Sequence, residues 1–468
     1  MSVLTARFTL RRIRPAAAAA AAIAVVVGSY GLAAWHAALS SATSPQAVDP
    51  AALKAAPPPP IALSAPGGSL VALDGLQQID HAIGIWTANL SRESRDFYAS
   101  DNLGLLYEAR ARLTGDVEDY DRARQSMEHT LTIVPNDITA RVVHARVLAS
   151  LHEFPLALAE AQAIIRDTPG QLAALGTLGD AQLELGDVAG AAASYQRLAK
   201  AAPGNEAVDA RLSRLAFIEG RSSQAWQLAM KAYTEAVADG ATGPGLSWYA
   251  YVLGTLSLTA GQPRTALDWF GTAARDWPGS FLALGGEARA QAALGETAAA
   301  IHDDLASIAI SPQPDTLTQL GDLYALSGQT KLADAQYATV EAIGQLQLTA
   351  QVFNRQLALF SINHDRDLAQ ALSMAQQELA ARKDVYGYDT LSWALLANGQ
   401  PAQAEVAIQQ ARAFGTQDPL IAYHAGMIDA ALGRTAQARA ELTQALAATG
   451  AIDPLATSRA QAVLLALP

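Results

Sequence analysis

Residues 172–205 read LAALGTLGDAQLELGDVAGAAASYQRLAKAAPGN, and this stretch decides the fold. Gly179 lies in its first half, Gly186 between the halves, Ala191 and Tyr195 in the second half, and Pro203 at its end. The same pattern returns every 34 residues. Pro135, Pro169 and Pro203 keep that interval, as do Pro278 and Pro312, with seven extra residues between the two series. Those seven match the stretch DGATGPG, residues 239–245, which reads as a loop by composition. Ala157, Ala191 and Ala225 keep the interval, and Ala266 with Ala300 and Ala404 with Ala438 repeat it. Gly186, Gly220, Gly261, Gly295, Gly399 and Gly433 each stand five residues before one of these alanines. Twelve residues before the alanines stand Ala145, Gly179, Ser213, Gly254, Ala288, Gly321 (before Ala333), Ser392 and Gly426, all of them small.

Packing explains the pattern. Two helices cross closely only where bulk is absent from the contact. A glycine between them supplies the left-handed residue that ends the first helix. A proline denies the next turn a backbone donor and stops the second. Tyr195, Phe270 and Tyr337, four residues after their alanines, fill the space between adjacent pairs. One such pair cannot bury its own apolar face, so pairs must stack.

The residues 98–450 resemble the tetratricopeptide repeat. Leu178-Gly179, Gly186, Ala191, Tyr195 and Pro203 carry the likeness, as do Leu253-Gly254, Gly261, Ala266, Phe270, Ala273 and Pro278. Leu320-Gly321, Tyr324, Gly328, Ala333 and Tyr337 carry it again. The expected fold is an all-α, right-handed α-solenoid of nine or ten antiparallel helix pairs, preceded by one N-terminal transmembrane or signal helix. An additional helix is expected near Leu76 to Asn89, and a capping helix over Leu455 to Leu467. Two units depart from the pattern. The one starting near Leu103 is stretched before Pro135, and Gln345 to Ala380 carries His364-Asp365 where Gly-Asp is expected, with Ala369 five residues on.

Ahead of the repeats, residues 1–14 form a basic leader containing Arg7, Arg11, Arg12 and Arg14. Residues 15–40 are a membrane-spanning anchor or signal segment, whose apolar run from Ala16 to Leu39 is long enough to cross a bilayer. The arginines should stay inside, placing the solenoid outside. Two readings stand. One is a single-pass membrane protein; the other is a secreted or periplasmic protein cut near Ser40-Ser41-Ala42. Residues 41–70 form a linker in which Pro57 to Pro60 act as a stiff spacer, and residues 71–468 form the solenoid. Arg382-Lys383-Asp384-Val385-Tyr386 leading to Trp393-Ala394-Leu395, and Tyr423-His424-Ala425-Gly426-Met427, resemble a bacterial group of exported repeat proteins.

Four of the 32 basic residues precede the apolar run, leaving 28 against 44 acidic ones. That balance opposes nucleic acid as a partner and leaves the N-terminal segment as the only membrane contact. No cysteine is present, which removes thiolate metal sites and thiol nucleophiles. The eight histidines form no HExxH pattern, and no phosphate loop, GxGxxG or GxSxG appears. No cofactor or enzymatic reaction is expected.

The resemblance implies that first helices line a concave, partner-binding face. It places Arg146, Asp180, Arg214, Arg289, Asp322 and Trp393 there, beside Thr255 and Met427, with Tyr251, Asp389 and Tyr423 one turn earlier. Arginine and aromatic side chains are favoured anchors for a protein or peptide. The expected role is a non-catalytic scaffold or adaptor in the cell envelope. The alternative is an accessory role in exporting or assembling an envelope polysaccharide.

Overall fold

The computed structural model describes residues 75–349 and 355–468; the basic leader, the apolar run and the proline linker lie outside them. Among the described residues there are 22 α-helices and no strand. No described helix is long and apolar enough to cross a membrane. Residues 75–340 and 355–468 form one compact unit, and the end of one helix, residues 341–349, falls in a second.

After α1 (Leu76–Arg92), ten helix pairs follow in order. They are α2 (Phe97–Thr114) with α3 (Val117–Ile133), α4 (Ile138–Ser150) with α5 (Phe154–Asp167), and α6 (Leu172–Glu184) with α7 (Val188–Ala201). Next come α8 (Glu206–Ile218) with α9 (Ser222–Ala238), α10 (Gly243–Thr259) with α11 (Pro263–Asp276), and α12 (Phe281–Ala293) with α13 (Thr297–Ile310). The last four are α14 (Pro314–Leu326) with α15 (Thr330–Thr349), α16 (Arg355–Asn363) with α17 (Leu368–Ala381), α18 (Val385–Ala397) with α19 (Pro401–Ala411), and α20 (Pro419–Ala431) with α21 (Thr435–Ala447). The helix α22 (Pro454–Ala466) closes the end.

The small residues do what their spacing demands. A methyl group at Gly254 would lie 2.6 Å from the Phe270 ring, and one at Gly426 would lie 2.7 Å from Leu442 Cγ. At Gly179 and Gly321 it would collide with Tyr195 and Tyr337. The large side chain thus lies against the first helix of its own pair, and Phe270 also presses on Gly286 of the next pair. Ser213 Oγ donates to the Ala225 carbonyl at 2.7 Å, so the positions twelve apart touch directly. Ala157, Ala191, Ala225, Ala266, Ala300, Ala404 and Ala438 have no exposed surface.

Gly186 shows how a pair turns. Its φ is 82°, and the Asp187 N–H reaches back to the Gln182 carbonyl at 2.8 Å, closing the first helix. In the second pair His152 takes this position with φ 62°.

Two expectations are corrected. DGATGPG is not a seven-residue insert loop: α9 runs to Ala238 and α10 starts at Gly243, leaving a four-residue turn. The extra residues lengthen both helices to 17 residues, because Pro244 sits in the first turn, where a missing N–H is harmless. In the degenerate unit Asp365 (φ 53°) and Asp367 (φ 36°) make the turn, and Ala371, not Ala369, is the buried alanine.

Turns far apart in sequence also meet. Thr416 Oγ1 donates to the Ile218 carbonyl, and Arg382 pairs with Glu184; the partners in both cases are 198 residues apart. A methyl group at Gly186 would lie 2.5 Å from the Lys383 carbonyl, and one at Gly220 would collide with Gly415. Gly261 approaches Ala448, and Gly115 approaches Ser311 and Gln313. These meetings run in chain order, so the stack of pairs winds back onto itself along a seam. The seam has an apolar core: Leu183, Tyr195 and Ile218 share one buried cluster with Val385, Ile408 and Ile428.

Candidate functional site

Winding brings the first helices around a common interior. Arg146 on α4 forms two hydrogen bonds of 2.5 Å to Glu108 on α2, whose side chain is 2% exposed. The Arg146 and Arg112 charges hold the Glu108 carboxyl below its ordinary range, against the opposing effect of burial. Arg211 grips both oxygens of Asp180 at 2.9 Å. Tyr195 donates its hydroxyl to the same carboxylate at 2.8 Å. Burial and the Asp180 charge raise the Tyr195 phenol well above its usual range, so it keeps that proton. Arg214 pairs with Glu184, which also takes Arg382 across the seam. Arg355 pairs with Glu378 at 2.6 Å and Asp384 at 2.7 Å.

Arg289 on α12 is different. Among the described residues no carboxylate lies within ion-pair distance of it; its hydrogen bond is a 3.3 Å contact to the Tyr251 hydroxyl on α10. The register is the same as that of Arg146 and Glu108, since both partners stand 38 residues earlier. Tyr251 therefore occupies the place of the neutralising glutamate. Asp304 does not supply the missing charge. It has no exposed surface, and burial pushes its carboxyl up to about 8 despite hydrogen bonds from Gln319 at 3.0 and 3.1 Å. At neutral pH Asp304 is mainly the uncharged acid.

Arg289 lines a cavity of about 690 Å³ bounded by α10, α12, α14 and α16 on one side and by the α21–α22 turn and α22 on the other. Asp315, Asp322 and Asp453 face the same space, and Phe270, Leu323 and Phe360 supply apolar wall. Among the described residues Arg289 is the one basic residue in that lining. Cavities of this size hold small ligands or a short peptide stretch.

The expected site residues separate into three groups, with Asp322 apart from them. Tyr251 and Arg289 meet at the cavity edge, where Trp248 stacks on Tyr251 with centroids 5.7 Å apart. Arg146, Asp180 and Arg214 lie in internal ion pairs. Asp389, Trp393 and Tyr423 are buried, not presented on a surface. Trp393 stacks on His424 at 4.4 Å and donates to Asn363, while His424 meets Asp389 at 2.9 Å. Burial follows because α18 and α20 lie against both their neighbours and the seam core. Asp322 touches the cavity but is held by Tyr337 at 2.7 Å and His364 at 2.8 Å. Among the described residues no cluster of histidine and carboxylate side chains fits a metal ion.

Residues 142–206 and 251–314 match the tetratricopeptide repeat family model. Those two stretches carry tetratricopeptide repeats. A comparison with curated proteins returned no match. Among solved structures, a tetratricopeptide repeat protein from Parabacteroides merdae is 14% identical, covering 55% of this chain and 93% of its own, with a TM-score of 0.41. Human IFIT1, solved as a dimer with PPP-AAAA, is 17% identical over 72% of this chain and 77% of its own, with a TM-score of 0.46. The APC/C hetero-tetramer Cut9-Hcn1 is 14% identical over 83% and 93%, with a TM-score of 0.31.

Sequence reasoning missed Glu108, Glu184 and Arg211, which neutralise the inner wall of the tetratricopeptide repeats. A search for opposite charge about one repeat earlier finds them, since their pairings span 38, 30 and 31 residues. It missed Asp453, because a turn beyond the last repeat has no repeat position.

Proposed function

We propose that this protein is a scaffold of the cell envelope that receives a segment of a partner protein on its inner wall beside Tyr251 and Arg289. Tetratricopeptide repeats imply protein–protein interaction, and proteins built from them are generally non-catalytic. One observation carries the location: among the described residues Arg289 has no carboxylate within ion-pair distance, Asp315 and Asp304 acting on it only from further off, whereas the neighbouring inner arginines are paired directly. A guanidinium without a directly paired carboxylate on a partly apolar wall is suited to an anionic group on a ligand. The basic leader and the apolar run of residues 15–40 support export and an N-terminal anchor.

Affinity capture from cells with the full chain and with Arg289→Gln, Tyr251→Ala and Arg214→Gln tests the reading. Partner recovery is expected to fall for the first two and to survive the third. Equal recovery with all four proteins overturns the assignment. Fractionation with N-terminal sequencing tests the location; an intact chain in the cytosolic fraction overturns the export reading.

A further inference from the structure

The cavity beside Arg289 has a polarity of its own. One wall carries a guanidinium with no carboxylate at ion-pair distance among the described residues. Across the same lining stands the carboxylate of Asp453, while Asp315 on α14 lies on the Arg289 side and acts on the guanidinium from beyond ion-pair distance; both are exposed and without an ion-paired basic side chain among the described residues. Asp453 caps α22 through one oxygen, at 2.7 Å from the Ala456 N–H. Asp315 accepts only from the adjacent Thr316 N–H, at 2.9 Å. Between the charges lie Leu258, Phe270, Leu323, Leu359 and Phe360, with Gln319 on the same wall.

We infer that this cavity binds a small zwitterion, a free amino acid or short peptide with apolar side chains, placing its carboxylate on Arg289 and its ammonium group toward Asp453. The inference rests on reading the inner wall as the binding surface and goes further in naming the chemistry of the occupant. The volume, about 690 Å³, suits such a ligand. The walls belong to both sides of the seam: Gly450 on the α21–α22 turn packs against Ala293 at the end of α12. A bound zwitterion therefore ties the two sides together and stabilises the wound form by mass action.

Calorimetric titration of the full chain with the dipeptide Leu-Leu, its N-acetyl form and its C-terminal amide is the test. The free dipeptide is expected to bind at one site. Blocking either end should weaken it by about tenfold to a hundredfold, the usual worth of a charge-assisted contact. Arg289→Gln should erase the preference for the free carboxylate. Asp453→Asn, which keeps a capping side chain, should erase the preference for the free amine. Tyr251→Glu restores at Arg289 the pairing seen between Glu108 and Arg146, and should abolish binding without unfolding the chain. If no form binds at millimolar concentration, or if the blocked forms bind as well as the free one, the zwitterion assignment is overturned. Partner capture that still depends on Arg289 would then leave the scaffold reading standing.

Discussion

Arg146 and Arg289 occupy the same place on two first helices, yet one meets Glu108 and the other meets Tyr251. The Arg146 wall is complete without a ligand: its charges cancel inside the fold. The Arg289 wall is not, because its hydrogen-bond partner is a neutral phenol, the buried acid nearby, Asp304, holds its proton, and Asp315 acts on it only from beyond ion-pair distance. The same residue type in the same register is thus structural in one repeat and available in another. The arginine matters less than the residue one repeat earlier.

The sharpest way to break this comparison is to remove a carboxylate from the compensated wall. Glu184→Gln leaves Arg214 and Arg382 without their shared partner. It should destabilise the chain by about 3 kcal/mol in urea denaturation, the scale for breaking a buried ion pair. A change below about 0.5 kcal/mol would show that the pairs on that wall are incidental.

The seam gives the next contrast. Gly220 and Gly399 share left-handed geometry, with φ of 73° and 71°. A side chain at Gly220 meets the Gly415 backbone, whereas Gly399 has open space. Gly399→Ala should lose about 1 kcal/mol from backbone strain alone, and Gly220→Ala about 3 kcal/mol. Equal losses would mean that the two sides of the seam separate readily in solution.

Asp304→Asn should stabilise the chain at pH 7.5. The Asp304 carboxyl titrates at about 8 in the fold but at about 3.9 when unfolded. Folding therefore takes up a proton between those values, and stability falls as pH rises from about 4 to about 8. The substitution should flatten that slope in thermal melts across the same range. An unchanged slope would mean that Asp304 is ionised and does neutralise Arg289.

Smallest of all should be the effect of Arg289→Gln on stability, within about 0.5 kcal/mol, because no ion pair is broken. The same variant should lose partner recovery. A destabilisation like that of Glu184→Gln would place Arg289 among the structural arginines and erase the difference between the walls.

The sequence by itself determined the repeat. Helix ends, close crossings and the order of pairs follow from glycine, alanine and proline at fixed spacing, because these residues act on the backbone within one or two turns. The neutralising pairs went unread, although carboxylate and arginine do recur about one repeat apart. Only the tertiary structure decided which inner residues are reachable. Trp393 and Tyr423 read as anchors but became core, and Asp453 joined a cavity lined by residues from distant repeats. The reason is geometric: burial there depends on how far each pair rotates against the next. That rotation accumulates over 198 residues before Glu184 meets Arg382, a sum of small packing angles that no single repeat encodes.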